Sequence, residues 1–338
     1  MKRYILTEIP RNNLNAGYKA KCDIRSVLIF EGFEAIDIKE SFKFDKIPEF
    51  FKLLNRLKKI ENNSEIVFQH PVYSFFNSKF MPSILKTVKR KGLKMIVVIH
   101  DLECVRFRRD EGFRALETEI LKNASAVISH NSDMSKSLVD LGIEKERLVN
   151  LEIFDYLCKK DEGDTAPINT VCVAGNLDPE KSGYIYKMSQ DVNIKVNVYG
   201  GNFDENLGKE VNYCGSFSPN ELPKKLVGAF GIVWDGGETE KCSGVTGEYL
   251  KINNPHKTSL YLAAGIPVVI WDKAALSKFI LKEGAGIALE SLGQLPSKIA
   301  ALSDEDYLEM KNNANRLSKA IQSGDFIKGA VKKAEEKL

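Results

Sequence analysis

The chain has 338 residues, 43% of them hydrophobic and 28% charged, and a net charge of +3. That length suits two domains better than one, and no apolar run approaches the roughly eighteen residues a membrane-spanning helix needs. Six scattered cysteines without a CxxC pair argue against a zinc knuckle or a secreted disulfide framework, and Glu8 interrupts the start MKRYILTEIP before a signal-peptide core can form, so a cytoplasmic protein is expected. In chain order, hydrophobic periodicity predicts strands at 3–8, 35–38, 66–70, 94–100 and 126–130, alternating with helices at about 16–31, 48–60, 78–91, 111–122 and 133–142. A polar stretch, KKDEGDTAPIN (159–169), reads as a linker. Beyond it come strands at 170–175, 194–200, 211–215 and 230–234, helices at about 180–190 and 219–226, then the helix 258–264, the strand IPVVI and helices to the end. Strand–helix alternation implies crossover connections and a parallel, doubly wound α/β sheet in each half.

In such sheets ligands bind beyond the carboxyl ends of the strands, and several polar groups fall there. His70, His100 and His130 end predicted strands, and His256 opens a helix. The segment NNPHKT brings Asn254, His256, Lys257 and Thr258 to a helix start, where a lysine opposes the dipole unless an anion is bound. The loop AGNLDPEKSGY contributes Gly175, Asn176 and Lys181, so two lysines from two strand-end loops could grip a diphosphate. Tyr199 and Gly200 end one further strand, and Asp235 and Gly236 another, as groups that could meet a base or ribose. In the first half, Asp101 beside His100 is a candidate general base, its pKa raised by partial burial, with His100 as the substitute. Gly17, entering the first helix, would let backbone approach a ligand. Asp304 and Asp306 in LSDEDY read as a helix start rather than a metal site.

Basic residues outnumber acidic ones in the first half, and the balance reverses in the second. The runs KTVKRKGLK (86–94) and RFRR (106–109) are solvated helix faces or a surface for anionic lipid or an acidic acceptor. They lack the aromatic interleaving of a nucleic-acid binder.

IHDLECVR, ISHNSDM, VAGNLDPEKSG and NNPHKTSLYLAAGIPVV together resemble a bacterial glycosyltransferase family. It includes galactofuranosyltransferases and the glucosyltransferase that extends GlcNAc on serine-rich adhesins. The resemblance implies the GT-B fold: two Rossmann-like doubly wound domains facing a cleft, residues 1–158 binding the acceptor and 159–324 the nucleotide sugar, with a C-terminal helix, 325–338, crossing back to the first. It implies transfer of a hexose from a UDP-sugar to a glycan hydroxyl, with inversion and no obligatory metal or other cofactor. Lys257 and Lys181 would hold the diphosphate and Tyr199 the nucleoside. Many GT-B enzymes carry glutamate where this chain has Leu260, so Glu248, Ser259 or backbone amides would contact the ribose. A lipid-linked acceptor, contact with an anionic membrane face and a homo-oligomer are compatible partners. A nucleotide-sugar epimerase or hydrolase, and a non-catalytic glycan-binding subunit, are the alternatives.

Overall fold

The structure is a computed structural model that describes residues 2–11, 16–42, 45–77, 79–107, 110–159, 166–188 and 194–338. It divides into two units, 1–151 with 324–338, and 152–323.

Unit 1 alternates β1 (Arg3–Ile9), α1 (Ala16–Phe30), β2 (Glu34–Lys39), α2 (Lys46–Lys59), β3 (Glu65–His70), α3 (Met81–Arg90), β4 (Lys94–Ile99), α4 (Glu103–Arg106), α5 (Glu111–Lys122), β5 (Ala126–Ser129), α6 (Ser132–Asp140) and β6 (Leu148–Asn150). Its six strands are parallel in the order β2-β1-β3-β4-β5-β6. The β-branched runs of β3 and β4 are buried almost throughout, as parallel strands between helices must be. Helix α2 turns Phe50, Leu53 and Leu57 inward, while the side chains of Asp110 and Asn131 cap α5 and α6. Chain order reverses between β1 and β3, which is where such sheets bind ligands.

Unit 2 contains β7 (Thr170–Ala174), α7 (Pro179–Ser182), α8 (Tyr184–Met188), β8 (Lys195–Tyr199), β9 (Asn212–Tyr213), α9 (Leu222–Lys225), β10 (Phe230–Val233), α10 (Gly244–Tyr249), α11 (His256–Ala263), β11 (Val268–Trp271), α12 (Ser277–Lys282), β12 (Gly286–Leu289), α13 (Leu295–Ala300) and α14 (Asp304–Ser323). Its strands are again parallel, in the order β12-β11-β10-β7-β8-β9, with the reversal between β7 and β10. At the start of α14, Ser303 Oγ and Asp306 form a reciprocal cap, with bonds of 2.7 Å to Asp306 Oδ2 and 3.1 Å from its N–H. Ser318 Oγ and Gln322 Nε2 of α14 both donate to the Ala263 carbonyl, at 2.7 and 2.8 Å, and so close the end of α11.

At Gly324 (φ +79°) the chain turns into α15 (Asp325–Glu335), which belongs to unit 1. Ile327, Ala330, Val331 and Ala334 bury that helix, and Arg3 Nη1 meets Glu335 Oε1 at 3.3 Å.

The units divide after Leu151, ahead of the expected linker. Residues 152–156 are fastened within unit 2 because Asn254 Nδ2 donates to the Glu152 carbonyl at 2.9 Å and Tyr156 Oη to that of Pro219 at 2.6 Å. Within the expected helix at 180–190 lie two short ones, α7 and α8, and 189 and 190 fall outside the described residues; at Gly183 between them a Cβ would lie 3.1 Å from the Gly237 Cα. The predicted 219–226 helix shrinks to α9, and β6, β12 and α10 go beyond the predicted elements.

Candidate functional site

At the reversal point of unit 2 three strand-end loops are stitched together. Gly175 and Gly200 both take left-handed backbone, at φ +143° and +147°, and a Cβ on Gly200 would sit 1.7 Å from the Gly175 carbonyl oxygen. Gly175 N–H donates to Tyr199 and Leu177 N–H to Gly201, each at 2.9 Å, while Asn176 Oδ1 accepts from Asn202 Nδ2 at 2.9 Å. The third loop joins through Gly236, whose N–H donates to the Lys181 carbonyl at 2.8 Å. Gly236 has φ +111°, with no room for a Cβ against Ser243. Only glycine accepts these approaches, so the sequence's glycines set the loops that carry Asn176, Lys181 and Asp235.

Lys257, in the first turn of α11, reaches this junction. Its Nζ donates to Asp235 Oδ1 at 2.7 Å and to the Trp234 carbonyl at 2.8 Å, with the two side chains only 15% and 11% exposed. Two of the three ammonium N–H groups are thereby used and one remains. The hydroxyls of Thr258 and Ser259, also in that turn, are buried and make no hydrogen bond among the described residues. Buried hydroxyls normally find a partner. The Lys257 ammonium thus lies at the N-terminal end of a helix, where anions are favoured.

Other predicted residues are otherwise occupied. Asn254 anchors Glu152, as described above, and the His256 ring stacks on Tyr156 with centroids 5.0 Å apart. Both serve the segment that joins strand β6 to unit 2. Tyr199 is 2% exposed and its hydroxyl accepts from Val227 N–H at 3.0 Å, so its ring belongs to the core. Glu248 is exposed and paired with Lys251 at 2.6 Å. The sequence reading missed an aromatic stack beside Gly200. Phe203 and Tyr213 lie parallel at 4.6 Å with 7° between their planes, and Tyr186 stacks on Phe203 at 5.9 Å. Tyr213 is 41% exposed, and its hydroxyl donates to the Gly200 carbonyl at 3.0 Å.

In unit 1, Asp101 and His100 follow β4. Asp101 is partly buried, its side chain keeping a quarter of its exposure, and its Oδ2 accepts from Arg106 Nη1 at 2.6 Å. His100 Nε2 meets Gln69 Oε1 at 2.8 Å, and Gln69 Nε2 donates in turn to Thr7 Oγ1 at 2.7 Å. Behind them Glu8, fully buried, accepts from the N–H groups of Tyr73 and Ser74. Lys21 donates to the Pro71 carbonyl at 2.5 Å; burial lowers its pKa, against the pull of Glu8, Asp101 and Glu103. Gly17 lies in the first turn of α1, and 12–15 of its predicted loop fall outside the described residues, as do 108 and 109 of the RFRR run. His70 is buried against Glu117 Oε1 at 2.8 Å, and burial brings His130 down to about 4, so both are core histidines. Three strand-end histidines thus divide into two that pack and one, His100, at the candidate base.

Two parallel six-stranded Rossmann-like sheets, each with polar groups gathered at its reversal point, give the chain the GT-B fold. Residues 2–153 match the N-terminal domain and 171–334 the C-terminal domain of the glucosyltransferase 3-like family, to which the chain belongs. It is 30% identical to the β-1,6-galactofuranosyltransferase WbbI of Escherichia coli (strain K12), over 99% of both chains. It is 24% identical to glucosyltransferase 3 of Streptococcus gordonii, over 78% of this chain and 76% of that one. The structure of Anabaena HepE in complex with UDP and glucose superposes with a TM-score of 0.63 at 11% identity, over 99% of this chain and all of that one. The chain is a hexosyltransferase.

Proposed function

We propose that this enzyme transfers a hexose, galactofuranose, galactose or glucose, from a UDP-sugar to a glycan hydroxyl with inversion, in surface polysaccharide or glycoprotein glycan synthesis. The carrying observation is Lys257 at the N-terminal end of α11, its ammonium at the junction of the three strand-end loops, followed in the same turn by the hydroxyls of Thr258 and Ser259, which have no partner among the described residues. These groups suit the oxygens of a diphosphate. Tyr213, stacked on Phe203, offers a ring face to uracil. Homology supports the donor: HepE binds UDP and glucose, and WbbI is named for galactofuranose.

In the proposed reaction the acceptor hydroxyl gives its proton to Asp101 of unit 1 and its oxygen attacks the anomeric carbon. The bond from that carbon to the diphosphate oxygen breaks, and UDP leaves with the electron pair. Lys257, Lys181 and the α11 terminus stabilise the charge that builds on the departing phosphate, which is why no obligatory metal is proposed. Arg106 pairs with Asp101 in its carboxylate form, the form a base requires.

The test is a thermal-shift panel of nucleotides with a transfer assay. UDP should stabilise the chain, by about 2.7 kcal/mol at a hundredfold excess over its Kd. Asp101→Asn should keep that shift and lose roughly 10²–10⁴-fold in kcat. A nucleotide-insensitive melting curve, or an Asp101→Asn variant of undiminished turnover, would defeat the donor and the base assignments respectively.

A further inference from the structure

We propose that Gln69 is a positioning residue that sets His100 to accept, through Nδ1, a hydrogen bond from a second hydroxyl of the acceptor sugar, beside the hydroxyl that Asp101 deprotonates; this rests on reading unit 1 as the acceptor side. Gln69, the residue before the last of β3, is fully buried. Its Nε2 donates to Thr7 Oγ1 of β1 at 2.7 Å and to the Lys21 carbonyl of α1 at 3.1 Å, so both amide hydrogens are used. The Lys21 carbonyl can only accept, and this decides which way the amide faces. Turned over, the amide would set its own oxygen against that carbonyl and bury two acceptors with no proton between them.

The amide oxygen therefore faces the other way, where Oε1 lies 2.8 Å from His100 Nε2. Oε1 carries no hydrogen, so Nε2 must carry one. Of the two neutral tautomers of His100, only the one with its lone pair on Nδ1 fits, and a group that bonds to Nδ1 has to be a donor. The backbone is fixed as well, because His100 N–H donates to the His70 carbonyl at 2.8 Å and extends the β3–β4 ladder by one residue. His100 is partly exposed after five buried residues, so it stands where β4 leaves the core. The histidines at the ends of β3 and β5 differ: His70 meets Glu117 and His130 meets the Ile99 carbonyl, both within the core.

Asp101, the next residue, is held by Arg106. A hydroxyl has one proton, and in the proposed reaction the attacking hydroxyl gives its proton to Asp101. The donor for His100 Nδ1 is then a different hydroxyl, which a sugar carries on a neighbouring carbon and a simple alcohol lacks. The pair His100 and Asp101 thus selects an acceptor with two neighbouring hydroxyls, the second of them read as a hydrogen-bond donor.

Two measurements on the full chain test this. Nitrogen-15 NMR of the histidine rings, with His100 assigned from its loss in His100→Ala, should show His100 as the Nε2–H tautomer at the pH of the transfer assay. The Nδ1–H tautomer, or a doubly protonated ring, would overturn the proposal. For transfer, p-nitrophenyl glucoside, galactoside and N-acetylglucosaminide are screened with UDP-galactofuranose, UDP-galactose and UDP-glucose. Each hydroxyl of the best acceptor is then replaced in turn by fluorine, which cannot donate. Apart from the hydroxyl that is glycosylated, fluorine at one position should raise the acceptor KM about tenfold in the parent and have no effect in His100→Ala. Gln69→Leu should raise the same KM with kcat nearly kept, and should add nothing in a His100→Ala background. Thr7→Val, which removes one of the two grips on the amide, should give a smaller rise of the same kind. Fluorinated acceptors that are all used alike, or losses from Gln69→Leu and His100→Ala that add, overturn the proposal whether or not every variant folds. A chain that binds no UDP and transfers to none of the acceptors would count instead against the proposed function, with the ring nitrogens still deciding whether Gln69 fixes His100.

Discussion

Lys257 has two roles that one substitution would confound. It neutralises Asp235 in a largely buried pair and is proposed to meet the diphosphate with its remaining N–H. Lys257→Ala should therefore lower both stability, by leaving a carboxylate without its cation, and turnover, by about 10²–10³-fold. Adding Asp235→Asn should restore most of the melting temperature and little of the turnover. If both return together, the lysine is structural and the anion site lies elsewhere. The sequence disclosed the lysine because a cation at a helix start is electrostatically out of place. It did not disclose Asp235 as the partner, since the two meet through tertiary structure. Tyr199 and Tyr213 show the same limit: both end strands, yet one ring is buried and the other exposed, a difference no local pattern encodes.

Among the elements, α15 depends on features at both of its ends. At its entrance Gly324 combines a left-handed backbone with a packing contact, a Cβ there lying 2.4 Å from Val27 Cγ2. Gly324→Ala should cost about 1–3 kcal/mol, measured by denaturant unfolding; a loss within a few tenths would show that the turn adapts. At its far end Glu335 sits near Arg3 and Glu65. Burial, followed by the charge of Glu335, pushes the Glu65 carboxyl from its ordinary 4.5 up to about 7. A carboxyl raised in the fold favours folding fully below the unfolded value, and that contribution disappears as the pH rises through about 7. Glu65→Gln should thus stabilise the chain more at about pH 8 than at about pH 4.5, by up to about 3 kcal/mol. An equal effect at both pH values would place an ionised Glu65 in the fold. The long β-branched strands were legible because burial on both faces leaves an uninterrupted apolar run. GIAL of β12 was missed because it opens on a glycine and has a single β-branched residue, and GVTGEY of α10 because two glycines mask its helical tendency.

For the whole molecule, the alternation of strands and helices was enough to give two doubly wound halves, since only crossover connections build parallel sheets. The place where the chain leaves unit 1 was less visible, because Phe154 and Tyr156 read as ordinary apolar residues until His256 is seen packed against them. Ligand binding gives the corresponding test. With UDP, hydrogen exchange should slow in unit 2 at 175–183, 199–203, 234–243 and the start of α11, as a ligand on the native state requires. Protection confined to unit 1 would contradict the donor assignment.

The return of α15 to unit 1 also bears on synthesis at the ribosome. Unit 2 lies between two stretches of unit 1, so every residue of unit 2 emerges before the helix that covers β4, β5 and β6. Unit 2 can fold while its neighbour still waits for its last element, against the usual order in which the N-terminal domain finishes first. Nascent chains stalled before Gly324 would hold an incomplete first unit with apolar surface exposed, the species on which chaperones act.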